Sequence, residues 1–171
     1  MKGQFSVEQI VAMTVFIAFV SYVFFTVFNL VPRYTSEVRA ERLRSEAYQI
    51  SELLINDPGS PANWESSGQP SRLGLSNEIM NVTNLISQSK LSSLRTKCKF
   101  SDNYAGYSDV GRWIGTERQF SILILSRNCP IFPVDCRPNS SIFRSSPINV
   151  SIRRFVAFDQ NCFGEINLEV W

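Results

Sequence analysis

The stretch from Gln9 to Pro32 contains no charged side chain, and it constrains the fold more than any other part of this 171-residue chain. Its apolar part, Ile10 to Val31, is 22 residues long, close to the roughly 20 residues that a helix needs to cross a bilayer. A cleaved secretory signal has a shorter apolar part that ends at small residues, whereas this run ends at leucine and valine before Pro32. The sequence therefore predicts a transmembrane segment, at about residues 9–32, that stays in the mature protein.

The helical pattern continues beyond the uncharged run. Apolar residues recur at steps of 4, 5, 4, 3 and 4 residues, at Tyr34, Val38, Leu43, Ala47, Ile50 and Leu54. Arginines and glutamates fill the other positions, and the pattern ends where Pro58 follows Asp57. We therefore predict one long helix over residues 4–57 with an amphipathic second half. Pro32 lies at the junction and either kinks this helix or separates two helices.

A carboxylate lies at the start of the apolar run. Glu8 sits one turn into an otherwise uncharged segment, where burial costs several kcal/mol unless a cation neutralises the charge. One candidate cation is Lys2 of the same chain. The other is a free amino group on Gln4, which cleavage after Gly3 would create and which would pair with Glu8 of a neighbouring subunit.

The first residues resemble the start of the type IV pilin family, specifically archaeal pilin-like proteins with a very short basic leader, the class III signal peptide. The matching positions before the long apolar helix are Lys2, Gly3, Gln4, Ser6 and Glu8. The resemblance implies that residues 1–3 are a leader, which a prepilin-type peptidase removes between Gly3 and Gln4. It also implies that Glu8, with the neighbouring Phe5 and Ile10, acts in subunit assembly.

The same resemblance implies a location and partners. The protein is expected to cross the cell membrane once before assembly and to join an extracellular filament afterwards. The expected partners are the membrane, the prepilin-type peptidase, other pilin subunits and the pilus assembly machinery. The implied role is adhesion or surface attachment, as a major or a minor pilin.

The alternative is an unprocessed single-pass anchor that carries an exterior binding domain. It explains the apolar run but not the leader, the Glu8 position or the amphipathic continuation. The charge bias also leaves a conflict, because only Lys2 precedes the membrane segment while four arginines follow it closely and would hold the large domain in the cytoplasm. These arginines are Arg33, Arg39, Arg42 and Arg44. Domains of this length often ignore that rule, so we expect residues 58–171 outside the cytoplasm.

Four cysteines, Cys98, Cys129, Cys136 and Cys162, all follow the membrane segment. The gaps between them are 30, 6 and 25 residues, which match no zinc motif, and the chain has no histidine. We therefore expect no metal site and two disulfides in an oxidising compartment; the alternative is four buried thiols. Of the three pairings, we prefer Cys129 with Cys136, which closes a proline-containing loop, and Cys98 with Cys162.

Three N-glycosylation sequons lie in the same part of the chain, and none lies in the membrane span. They begin at Asn81, Asn139 and Asn149, each followed by a residue other than proline and then by serine or threonine. They predict a glycosylated exterior surface. The alternative is three ordinary turn asparagines.

Residues 58–171 are predicted to form a small mixed domain. The expected elements are a short helix at Asn84–Arg95 and strands at Arg118–Ser126, Val150–Phe158 and Glu165–Trp171. The last two strands alternate apolar and polar residues and are expected to form a hairpin. The predicted fold class is α+β, with a small antiparallel β-sheet domain packed on the long N-terminal helix.

Aromatic residues mark two further features of this domain. Trp64 is expected to anchor a turn-rich segment against either the apolar stripe of the long helix or the domain core. In the strand at 150–158, the apolar alternation is placed at Val150, Ile152, Phe155 and Ala157. Tyr104, Tyr107 and Trp113 alternate with glycines and form either an exposed binding loop or, as we expect, a packed one.

An enzyme is not predicted. The chain lacks histidine, its carboxylates are scattered, and no serine, cysteine or threonine has an evident base. Lys90, Lys97 and Lys99 are expected to be solvated charges. With 17 basic and 15 acidic residues, the chain has no strong cationic excess, so we expect no nucleic-acid partner and no cofactor.

Overall fold

The computed structural model describes residues 7–77, 84–98, 104–127, 133–138, 149–159 and 162–171. The chain divides into two compact units, Met1–Glu41 and Arg42–Trp171. The helices are α1 (Val7–Asn56), α2 (Trp64–Ser67), α3 (Gln88–Lys97) and α4 (Tyr104–Ile114). The strands are β1 (Leu85–Ile86), β2 (Phe120–Arg127), β3 (Val134–Cys136), β4 (Val150–Phe158) and β5 (Cys162–Val170). The predicted α+β class is confirmed.

The predicted long helix is confirmed as a single element, since α1 continues through Pro32. Proline has no N–H to donate, yet the hydroxyls just after it add hydrogen bonds of their own. Thr35 Oγ1 donates to the Pro32 carbonyl at 3.0 Å, and Ser36 Oγ donates to the Arg33 carbonyl at 2.8 Å. The alternative of two helices separated at Pro32 is therefore wrong.

The five strands form one sheet in the order β1-β4-β5-β2-β3. The predicted hairpin is confirmed, with β4 antiparallel to β5 and Phe158 opposite Cys162. The prediction of a purely antiparallel sheet needs a correction at one edge, where β1 runs parallel to β4. A parallel pair requires a long connection, and the chain supplies one because α3, α4, β2 and β3 all lie between these two strands.

The core of the second unit lies between the end of α1 and one face of the sheet. The part of α1 that follows Arg42 buries a stripe made of Leu43, Ala47, Ile50, Leu54 and Ile55. The sheet contributes Phe120, Ile122, Ile124, Val134, Val156, Phe158, Ile166, Leu168 and Val170. Helix spacing on one side and strand alternation on the other thus produce two apolar surfaces that cover each other.

Trp64 is the anchor that the sequence predicts. Its side chain is fully buried, and its Nε1 donates a hydrogen bond to the Gly74 carbonyl at 2.8 Å. The loop that follows α1 therefore wraps around this indole, which joins the core of the second unit.

Several expectations for this unit need correction. The predicted helix at 84–95 starts later, because residues 85–86 pair as β1. The aromatic segment is packed as expected, with Tyr107 and Trp113 buried, but it forms the helix α4 rather than a loop. Lys90 is buried rather than solvated, and its Nζ donates to the carbonyls of Pro58 at 2.7 Å and Ser76 at 3.0 Å.

Phe155 also departs from its predicted place. The inward face of β4 carries Arg154, Val156 and Phe158, so Phe155 lies on the opposite face. There its side chain is 77% exposed. The alternation keeps its phase along the whole strand, and it places Arg154 inward toward α1, where Glu52 is the ion-pair partner of the guanidinium.

Candidate functional site

The first unit presents a long apolar surface that the described part of the chain leaves uncovered. None of the side chains along its apolar stretch is buried. The exposed aromatic side chains are Phe16, Phe19, Tyr22, Phe24, Phe25 and Phe28. Exposing so much apolar surface to water is strongly unfavourable, at about 25 cal/mol per Å². Lipid or other apolar helices that cover this part of α1 would remove that apolar surface from water.

Two hydroxyls inside this surface are satisfied within the helix. Thr14 Oγ1 donates to the Ile10 carbonyl and Thr26 Oγ1 donates to the Tyr22 carbonyl, each at 2.8 Å. Side-chain hydroxyls bonded in this way carry no unpaired donor into an apolar environment. Phe24 also stacks on Phe28, with ring centroids 6.0 Å apart. The surface is thus suited to lipid or to close packing with another helix.

Among the described residues, α1 is the one helix that is long and apolar enough to cross a membrane. This finding supports the predicted membrane segment by length and composition. A long apolar N-terminal helix of this kind can anchor the chain in a bilayer.

The structure places two of the predicted assembly residues. Glu8 lies in the first described turn of α1, and the side chains of Glu8 and Ile10 are both exposed. Gly3, Gln4 and Phe5 lie outside the described residues. The carboxylate therefore sits at one end of the uncovered apolar surface, where a partner that covers this surface would also meet the charge.

Two glutamates hold the end of α1 to the rest of the second unit. Glu46 accepts hydrogen bonds from Arg118 Nε and from Thr116 Oγ1, each at 2.7 Å. Further along α1, Glu52 pairs with Arg154, whose guanidinium lies 4.7 Å from the centre of the Tyr48 ring. A hydrogen bond to Tyr48 and the charge of Glu52 raise the pKa of Arg154 above its ordinary value.

The disulfide framework differs from the preferred pairing. Cys98, just after α3, is bonded to Cys136 at the end of β3, with Cα atoms 4.9 Å apart and a sequence separation of 38. The preference for Cys98–Cys162 and Cys129–Cys136 is therefore wrong, and so is the alternative of four free thiols. Spacing along the chain favoured the short loop, whereas the pairing depends on how α3 packs against β3.

Peptide mapping tests this framework. Cys162 is also in a disulfide, and Cys129, which lies outside the described residues, is the remaining cysteine of the sequence. We expect digestion without reduction to yield two linked peptide pairs, Cys98 with Cys136 and Cys129 with Cys162, and no free thiol. A linked pair joining Cys129 to Cys136 would contradict this expectation.

The predicted sequons are only partly within the described residues. Asn149 lies directly before β4 and its side chain is exposed, so an attached glycan would find open space. Asn81 and Asn139 lie outside the described residues. Glycosylation of all three remains a prediction.

The first unit has an uncovered apolar helix with a carboxylate at its end, and the second unit is a disulfide-linked α+β unit. The sequence missed a second exposed apolar group on the sheet, at Leu125, Phe155 and Phe163. The sequence indicates this group only through the alternation of β4. If Val156 points inward, the neighbouring Phe155 points outward. Comparison with protein-family models, with curated proteins and with solved structures finds no match for this chain.

Proposed function

We propose that this protein is a type IV pilin-like subunit that is processed between Gly3 and Gln4. Its N-terminal apolar helix then assembles with those of other subunits into an extracellular filament for adhesion or surface attachment, as a major or a minor component. The observation that carries the proposal is the continuous α1, whose apolar half lies uncovered in the single chain. A bundle of such helices would cover that surface completely.

The position of Glu8 supports assembly with copies of the chain. A carboxylate at the end of an apolar surface needs a cation when that surface is covered. Cleavage after Gly3 would supply one, as the amino group of Gln4 on a neighbouring subunit. A contact between two different surfaces of neighbouring subunits propagates as a filament when its rotation does not close into a ring.

The chain inserts once into the cell membrane, meets a prepilin-type peptidase, and is handed to pilus assembly machinery that adds it to the filament at the cell surface. We assign it a structural role without catalytic activity, cofactor or nucleic-acid partner. The disulfide between Cys98 and Cys136 is in keeping with an oxidising exterior.

A second candidate is an unprocessed single-pass protein with an exterior binding domain. The length of the apolar run favours it, because about 20 residues are enough to span a bilayer without any partner helix. In that case lipid alone would cover α1, and Glu8 would lie near the headgroups.

Intact mass separates the two candidates. The full chain is produced in cells with and without a prepilin-type peptidase, together with a Gly3→Leu variant as a matched control. We expect the wild-type chain to lose Met1, Lys2 and Gly3 only when the peptidase is present, and the variant to stay uncut. Mass is preferable to stepwise sequencing because an N-terminal Gln4 can cyclise. A wild-type chain that keeps Met1 or Lys2 in both cells would leave the second candidate.

A further inference from the structure

The sheet face that points away from the core carries an exposed apolar group. Its members are Leu125, Phe155 and Phe163, whose side chains are 37%, 77% and 68% exposed. Leu125 and Phe155 both lie opposite Glu165 in the sheet register, and Phe163 lies two residues before Glu165 on β5. Residues that are opposite each other, or two apart on one strand, share a face. The three side chains therefore form one group, and a group of this kind marks a surface that something covers.

An N-glycosylation sequon begins on the same face of the sheet. Asn149 lies directly before β4 with an exposed side chain, and Ser151 completes the sequon. Strand alternation places Asn149, Ser151, Arg153 and Phe155 on one face, in that order along β4. The distance from Asn149 to Phe155 along the strand is about 20 Å. A glycan attached to Asn149 therefore starts on the face that carries the exposed apolar group, one strand length away from it.

The side chains between these two points offer hydrogen bonds. Arg153 is exposed and lies opposite Asn167 of β5. The hydroxyl of Ser151 donates to Asn167 Oδ1 at 2.8 Å, and the half-buried Glu165 follows two residues before Asn167. These groups include both donors and acceptors. The face thus changes from hydrogen-bonding groups beside Asn149 to phenyl rings at the far end. Sugar hydroxyls pair with the former, and the C–H faces of sugar rings pack on the latter.

A glycan differs from other occupants of this face because it is attached to the same chain. A tethered group meets a neighbouring surface at a high effective concentration, so that weak contacts are enough to hold it there. Lipid tails would leave the Arg153 guanidinium and the Glu165 carboxylate without hydrogen-bond partners, which is costly. An oligosaccharide satisfies both of these groups and covers the phenyl rings as well.

We propose that a glycan on Asn149 lies back along β4 and covers the exposed apolar group at Leu125, Phe155 and Phe163. The covered rings are removed from water, which is favourable, and the face is closed to association with other proteins. The inference goes beyond the proposed function, because it requires that the second unit meets a glycosylating compartment and does not require that filaments form.

Two variants at Ser151 form a matched pair for the test. Ser151→Thr keeps both the sequon and the strand hydroxyl, whereas Ser151→Ala removes the sequon. Full-length chains are produced in cells that glycosylate sequons and are purified in detergent micelles with the disulfides intact. Mass spectrometry of the tryptic peptide that spans residues 145–153 is expected to show a glycan on Asn149 in the wild type and in Ser151→Thr. Asn149→Gln removes the glycan in a second way.

Hydroxyl-radical footprinting then measures how well the phenyl rings are covered. Trypsin cuts after Arg154 and releases a peptide that contains both Phe155 and Phe163. We expect both rings to be oxidised about fivefold faster in Ser151→Ala than in Ser151→Thr, which is equivalent to about 1 kcal/mol of contact free energy. Tyr48 is the internal standard, because its ring is 53% exposed and contacts Arg154 on the opposite face of the sheet. Its oxidation rate is expected to be the same in all chains.

Four results would overturn the inference, and none of them bears on filament assembly. The first is a wild-type chain with an unmodified Asn149. The second is equal oxidation of the two phenyl rings in Ser151→Ala and Ser151→Thr. The third is faster oxidation of Tyr48 in parallel with the phenyl rings, since this would indicate a loosened unit. The fourth is an Asn149→Gln chain that keeps the wild-type rates, because the effect would then come from the Ser151 hydroxyl.

Discussion

Replacing Glu8 with Gln is expected to abolish filament assembly while the chain still inserts into the membrane. In an assembled bundle, the Glu8 carboxylate would be buried beside the amino group of Gln4 on the neighbouring subunit. Removing one member of such a pair leaves an uncompensated buried charge, which costs about 3–5 kcal/mol per contact. The loss repeats at every subunit. We therefore expect electron microscopy to find no filaments in material sheared from the cells.

The controls for this prediction separate assembly from insertion. Glu117→Gln removes an exposed carboxylate from the second unit and is expected to assemble normally. Membrane fractionation of the Glu8→Gln chain is expected to give at least the wild-type amount, because a neutral amide is cheaper to insert than a carboxylate. Normal filaments from the Glu8→Gln chain would contradict the pairing role of Glu8.

The parts of the fold that the sequence predicts best are those set by local pattern. The uncharged run from Gln9 to Pro32 is so long that it forms a helix in any apolar surrounding, and the structure confirms one. The hairpin of β4 and β5 follows from two short alternating segments with a brief connection. Trp64 was recognisable as a core residue because a large indole in a turn-rich segment needs somewhere to bury its ring.

Features that depend on distant contacts were not predictable. Lys90 resembles a surface lysine, but its ammonium is held by the carbonyls of Pro58 and Ser76, which are 32 and 14 residues away. The glycines of α4 suggested a loop, because their close contacts with distant parts of the chain are not visible in the sequence. A Cβ on Gly106 would lie 2.1 Å from the Lys97 carbonyl oxygen, so glycine permits close packing there rather than a turn.

In the candidate site, too, the features set by a local segment were predictable and those set by distant contacts were not. The uncovered apolar surface and Glu8 are visible in the sequence because charge and hydropathy are properties of a local segment. The exposed apolar group on the sheet requires strand register, since only the pairing of β4, β5 and β2 brings Phe155, Phe163 and Leu125 together. The disulfide requires the packing of α3 against β3, so spacing between cysteines pointed to the wrong partners.

Replacing Trp64 with Ala is expected to cause the largest loss of stability in the second unit. The mutation empties a fully buried site and leaves the Gly74 carbonyl without the hydrogen bond that Nε1 donates. Cavity formation and the unpaired carbonyl together predict a loss of about 3–5 kcal/mol in the free energy of unfolding. For a unit of this size, the thermal midpoint should fall by roughly 10–20 °C.

Near-ultraviolet circular dichroism of the full chain in detergent micelles, with the disulfides intact, measures this midpoint. Trp64→Phe is the matched control, because it keeps an aromatic ring in the site and removes the indole N–H; we expect it to lose clearly less stability than Trp64→Ala. A Trp64→Ala midpoint within a few degrees of wild type would mean that the loop after α1 packs independently of the core. The full burial of the indole among core side chains argues for the large loss, because a rigid, close-packed surround cannot collapse to fill a cavity of that volume.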